Sequence, residues 1–152
     1  MAAGYLLDTN VISETRKVRA DAGVMDFLAG ADSAELFLSV LTWGELRKSV
    51  EAKRRTDAVS AAGLGEWVNS IETTFADRLL PVDAAAARLW GELSAGRSLP
   101  VIDTLIAATA ITGGFTLITR NTLATSPRPV CGSSILGRVL HERRTSNDAG
   151  SA

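Results

Sequence analysis

Short apolar runs that end on a helix-capping residue recur along this chain, and a helix-periodic segment follows each of them. Tyr5-Leu6-Leu7 runs into Asp8-Thr9-Asn10, three residue types that readily cap a helix. Residues 36–40 are strand-like, and Thr42 is expected to open a helix through about residue 55. Residues 79–82 include Pro81, which places that short strand at a sheet edge, and residues 84–95 follow as a helix. Val101-Ile102-Asp103 leads into residues 104–112, a helix apolar nearly all round and therefore buried, stopped by Gly113-Gly114. Residues 115–119 form the last expected strand. Further helices are expected at 11–17, at 22–29 with Val24, Phe27 and Leu28 on one face, and at 58–75 with Leu64, Trp67, Val68 and Ile71. Antiparallel hairpins need only tight turns, whereas strands separated by helices must cross over. The alternation predicts an α/β fold with a mostly parallel sheet covered on both faces.

A chain of 152 residues is long enough for one domain with a substantial core. Sixteen Lys and Arg against seventeen Asp and Glu give a net charge of −1, so no global basic field advertises a nucleic-acid binder. A local basic site beside an acidic centre remains compatible with that balance. The single cysteine, Cys131, rules out a disulfide within the chain and makes the cytoplasm the default compartment. The N-terminus lacks a basic leader, and no apolar stretch reaches the roughly 18 residues of a membrane span, so neither a signal peptide nor a membrane partner is expected.

Three acids share one position in this alternating pattern. Asp8 ends the first strand, Glu45 is expected in the first turn of the helix after the second, and Asp103 opens the buried helix before the last. In an open parallel sheet the carboxyl ends of the strands share an edge, and ligands bind there. Carboxylates gathered in such a crevice repel one another and call for a cation. Oxygen-only ligation suits Mg²⁺ or Mn²⁺, whose chemistry at a phosphodiester is that of a nuclease. Each acid also has a structural reading. Asp8 and Asp103 can each cap a helix, and Thr42-x-x-Glu45 has the form of a capping box. Their placement at successive strand ends favours the site. His141 and Cys131 lack the partners a catalytic role needs. Lys53-Arg54-Arg55 reads as a solvated helix end and the three tryptophans as core. A phosphatase-like reading is disfavoured because Asp8-Thr9-Asn10 lacks a second acid two residues on.

Four blocks in order now resemble a known family. Leu6-Leu7-Asp8-Thr9-Asn10-Val11-Ile12-Ser13-Glu14 is similar to the opening of VapC-type PIN domains. Leu38-Ser39-Val40-Leu41-Thr42-Trp43-Gly44-Glu45-Leu46-Arg47 resembles the second block, with Leu80-Pro81-Val82-Asp83 as a spacer. Pro100-Val101-Ile102-Asp103-Thr104-Leu105-Ile106-Ala107-Ala108-Thr109-Ala110 resembles the third and Leu117-Ile118-Thr119-Arg120-Asn121 the fourth. The resemblance implies a Rossmann-like α/β/α sandwich over residues 1–122. It implies an endoribonuclease toxin of a type II toxin–antitoxin pair, dependent on Mg²⁺ or Mn²⁺, that commonly forms a homodimer and is held by a small antitoxin. Asp8, Glu45 and Asp103 fall on the family's acidic metal site, and Thr9, Asn10 and Asn121 on positions that shape it.

The tail departs from the pattern. The family carries a fourth acid three residues after the Asn of the fourth block, and here that position is Ala124. All eight aromatic residues lie before residue 123, and the remainder is rich in Ser, Gly, Arg and Pro. Back-translated with G/C-favoured codons and read two bases later, the tail from Leu123 can give R-D-V-A-A-T-G-V-R-I-L-D-P-W. That reading places Asp at the fourth acid position and restores the family's ending. Residues 123–152 are therefore expected to be a frameshifted, poorly ordered segment. The competing expectation is a degenerate domain that binds an antitoxin or a dimer partner with little nuclease activity.

Overall fold

Side chains alternate across a strand, so Leu6 and Leu7 must point to opposite faces of a sheet, and both are fully buried. The computed structural model describes residues 3–120 and shows the consequence, a sheet covered on its two faces by two separate cores. In chain order the elements are β1 (Tyr5–Leu7), α1 (Thr9–Glu14), α2 (Ala22–Gly30), a 3-10 turn (Ser33–Glu35) and β2 (Leu36–Ser39). Then come α3 (Val40–Arg54), α4 (Ala58–Thr74), β3 (Leu79–Leu80), α5 (Ala84–Ser94), α6 (Val101–Gly113) and β4 (Thr116–Ile118). The strands lie in the order β3-β2-β1-β4, and every described pairing is parallel. The α/β sandwich expected from the sequence is the observed architecture, and β3, interrupted by Pro81, lies at an edge.

The register aligns Leu6 with Phe37 and with Leu117, and Leu7 with Ile118. Leu6 and Leu117 share one face with Ile106, Ala107 and Ala110 of α6, the helix expected to be buried. Leu7, Leu38 and Ile118 share the other with Val11 and Ile12 of α1, Val24 of α2, Leu46 and Val50 of α3, and Val68 of α4. Trp43 and Trp67 pack against this second core as expected, whereas Trp90 of α5 is partly buried and belongs to neither core. Gly4 enters β1 at φ 145°, and a Cβ there would sit 2.7 Å from the Glu35 carbonyl oxygen, so only glycine fits that approach. Gly114 ends α6 in the left-handed conformation, with φ 73°.

Three helix starts come earlier than the sequence suggests: α1 begins at Thr9 and not at residue 11, and the other two bear on the site. α3 begins at Val40 with Ser39 as its N-cap, the Ser39 hydroxyl accepting from the Leu41 amide at 3.1 Å. Thr42 lies inside the helix and is fully buried, so the capping box read into Thr42 and Glu45 does not form, and Glu45 lies in the second turn. α6 begins three residues early, at Val101, with Pro100 as N-cap and the Thr104 amide bonded to the Pro100 carbonyl at 3.0 Å. Asp103 is therefore not a cap but a residue of the first turn. Proline at the boundary presets the helical φ and removes an amide that would need a partner, which the strand-like Val101-Ile102 pair concealed.

One buried acid ties the frame together. Glu14, 2% exposed, accepts from the Lys17 ammonium, from the Asp21 amide at 3.0 Å and from the Arg120 guanidinium at 3.5 Å. The Lys17 hydrogen bond, followed by that of the Asp21 amide, holds its carboxyl below the usual range. Glu14 thus joins the end of α1, the cap of α2 and the segment after β4. Asn121, Ala124, Cys131, His141 and the expectations for residues 123–152 lie outside the described residues.

Candidate active site

The first strand delivers Asp8 to the carboxyl edge of the sheet, where the Asp8 amide donates to the Ile118 carbonyl at 3.1 Å. Its side chain also caps α1, accepting from the Val11 amide at 2.9 Å. The capping and site readings of Asp8 are therefore compatible, since one oxygen serves the helix and the carboxylate still faces the crevice. The second strand delivers Glu45 through α3, and α6 delivers Asp103 in its first turn. All three line one cavity of about 810 Å³, together with Thr9 and Asn10. The three acids do share one cavity, but only Asp8 stands at a strand end. Glu45 reaches it from the second turn of α3 and Asp103 from the first turn of α6, which no strand directly precedes.

Contacts within the cavity set the orientation of Glu45. The Thr9 hydroxyl donates to Glu45 Oε2 and lies 3.4 Å from the Thr42 hydroxyl, which is buried beside it. Thr9 therefore fixes the carboxylate that a capping box would have turned back along its own helix. Among the described residues no three acid, histidine or cysteine side chains close into a compact ligand cage. The acids line an open crevice instead, and Mg²⁺ or Mn²⁺ keeps several waters and takes few carboxylates directly. Their oxygen-only donor set fits such an ion.

The electrostatics record the strain of this gathering. Asp8 is pushed up from 3.8 to about 6, chiefly by burial and further by the negative charges of Asp103 and Glu45, against the opposing amides of Val11 and Asn10. A carboxyl with a raised value binds its proton more tightly when folded than when unfolded. Its contribution to stability is then complete below about pH 4 and declines as the pH rises towards about 6. The metal-free protein is expected to lose on the order of 1–3 kcal/mol from this group across that window. A divalent cation is expected to restore stability above it. Thermal melting against pH, in EDTA and in millimolar Mn²⁺, for the chain and for Asp8→Asn checks both expectations. An identical pH profile in the variant, or no Mn²⁺ shift, would count against them.

Several cavity residues carried no signal in the sequence reading. Gly44, Lys48, Ser49 and Ala52 extend the lining along α3, and Val101 and Ile102 face them from α6. Lys48, Ser49 and Ala52 follow Glu45 by three, four and seven residues, a helical spacing that becomes informative once the facing wall is known.

Comparison with known proteins agrees with this arrangement. The family model of the PIN domain matches residues 5–124. The chain is 36% identical to the VapC ribonuclease Y4jK of Sinorhizobium fredii, over 86% of this chain and 94% of that one. It is 32% identical to the Toxin FitB of Neisseria gonorrhoeae, over 77% of this chain and 87% of that one. The crystal structure of FitAcB from Neisseria gonorrhoeae superposes with a TM-score of 0.69 at 32% identity, covering 78% of this chain and 88% of that chain. With the pattern matched from β1 past β4, and the parallel sheet and its acidic crevice in place, the chain belongs to the PIN domain family.

Proposed function

We propose that this protein is the toxin of a type II toxin–antitoxin pair, an endoribonuclease that hydrolyses RNA phosphodiester bonds with Mg²⁺ or Mn²⁺ held at Asp8, Glu45 and Asp103. The observation that carries the reading is the convergence of three carboxylates, far apart in sequence, on one crevice at the carboxyl edge of a parallel sheet. A divalent cation bound there supplies an activated water and charge stabilisation at the phosphate. The chain's own residues supply the geometry. The Val11 amide anchors Asp8, Thr9 holds Glu45, and the first turn of α6 presents Asp103. Asn10 lines the same cavity, and the family resemblance makes Asn121 a site-shaping residue. The relatives named as a ribonuclease and as a toxin support this reading, and toxin–antitoxin complexes among the structural neighbours support a small antitoxin as partner. A homodimer and a cytoplasmic location complete the proposal. Among the described residues no helix is long and apolar enough to cross a membrane.

The test is cleavage of labelled RNA by the purified full chain. Cleavage is expected in Mn²⁺ or Mg²⁺ and is expected to stop in EDTA. Ala124 at the family's fourth acid position favours a second reading, a domain that retains its antitoxin and dimer contacts but cuts poorly. Antitoxin binding without metal-dependent cleavage would establish that second reading in place of the first.

A further inference from the structure

RNA approaching an acidic crevice meets repulsion, so a nuclease of net charge −1 needs a cation placed where the strand must lie. Helix α3 carries four such side chains in its span, Arg47, Lys48, Lys53 and Arg54. Three are engaged by carboxylates of the fold: Arg47 by Glu72 at 2.5 Å, Lys53 by Asp57 at 3.9 Å, and Arg54 by Glu51 at 2.8 Å. Lys48 has no ion pair among the described residues, and it is the one of the four that lines the cavity. Its natural partner on the helix is Glu45, three residues earlier. That carboxylate is turned to the Thr9 hydroxyl instead. The contact that orients Glu45 in the acidic site thus leaves Lys48 available for an anion one turn along the same wall.

The wall around Lys48 admits a polymer backbone. Gly44, Ser49 and Ala52 line the cavity beside it, and a Cβ built on Gly44 would meet nothing within 4 Å. Small side chains on both sides of the lysine let a phosphate approach the helix without displacing core residues. We propose that Lys48 is a substrate-binding residue, gripping a backbone phosphate next to the one cleaved, and that the Gly44–Ala52 face of α3 is the track along which single-stranded RNA leaves the carboxylates. The inference rests on the nuclease reading above and adds to it a subsite and its polarity, running from Glu45 towards the C-terminal end of α3. A lysine contact of this kind reads charge and not sequence.

Binding of a fluorescein-labelled dodecauridylate, followed by anisotropy in Mg²⁺ across a salt series, tests the assignment. Full chains carrying Asp8→Asn, so that RNA is not consumed, are compared with and without Lys48→Ala. Lys48→Ala is expected to weaken binding about fivefold and to lower the slope of log affinity against log salt by about 0.7, the value for one phosphate contact on a single strand. Lys48→Arg is expected to keep both, and Lys48→Glu to weaken binding further. Lys48 is exposed and has no ion pair to lose among the described residues, so all three variants are expected to melt like their parent. Unchanged affinity and salt slope in Lys48→Ala would overturn the proposal, including the case in which the lysine serves an acidic peptide of a protein partner. RNA that is bound through Lys48 but left intact by the chain bearing Asp8 would overturn the nuclease reading and leave the phosphate subsite standing. RNA that is not bound at all would overturn both.

Discussion

Asp8→Asn is expected to lower metal-dependent RNA cleavage by on the order of a hundredfold or more while leaving the fold intact. Changing residues that only orient a metal's ligands typically costs 10- to 100-fold, and Asp8 is placed to be a ligand itself. Asn retains the oxygen that accepts from the Val11 amide and ranks with Asp as a helix cap, so α1 keeps its start. It also removes a charge that burial and two neighbouring carboxylates disfavour, so the metal-free variant is expected to melt at or above the temperature of its parent near pH 7. Loss of activity with unchanged or raised melting temperature separates a ligand from a merely structural acid. The measurement pairs an RNA cleavage time course with thermal denaturation, in whichever form of the tail cleaves. Undiminished cleavage by the variant would remove Asp8 from the proposed centre.

The second large effect is expected from the tail. Replacing the sequence from Leu123 by R-D-V-A-A-T-G-V-R-I-L-D-P-W is expected to raise metal-dependent cleavage by at least about tenfold and to raise soluble yield. The replacement supplies an acid at position 124, and with it a fourth oxygen donor for the cation. It also supplies apolar and β-branched residues that can form a further strand. Among the described residues β4 pairs on one side only, with β1. An uncovered sheet edge promotes association between chains. The single change Ala124→Asp isolates the first of these causes and is expected to raise cleavage without raising yield. Expression of all three forms side by side, with soluble yield and initial cleavage rate as readouts, decides the matter. Equal yield and equal rate across the three would show that Ala124 and the present tail belong to the protein's normal design.

Much of the frame was legible because it depends on local patterns. The apolar runs at Tyr5–Leu7, Leu36–Ser39 and Thr116–Ile118 are separated by helices that the periodicity also marked. That order alone requires crossovers and a parallel sheet. The alternation of Leu6 and Leu7 into two cores follows from the pleat. Asp8 was legible for the same reason, because it stands at the end of β1. Glu45 in the second turn of α3 and Asp103 in the first turn of α6, which no strand directly precedes, reach the cavity through the packing of their helices. The helix starts were less so. Thr42 and Asp103 have the chemistry of caps, but Ser39 and Pro100 occupy those positions. Capping depends on where the backbone leaves the strand, and residues that look alike in sequence compete for it.

The tertiary structure decided what stands across from what. Thr9 and Glu45 are 36 residues apart, and only the pairing of β1 with β2 brings the hydroxyl to the carboxylate. Arg120 reaches Glu14 across 106 residues because β4 lies beside β1 and not beside β3, the strand before it in the chain. Lys48 could not be told from its neighbour Arg47 by sequence. One turns towards Glu72 of α4 and the other towards the crevice, a difference of about 100° around one helix. Local residue types therefore determined the elements and placed Asp8 at the end of the first strand. The order in which the strands assembled, which no local signal encodes, determined which acids share a cavity and which cation faces it.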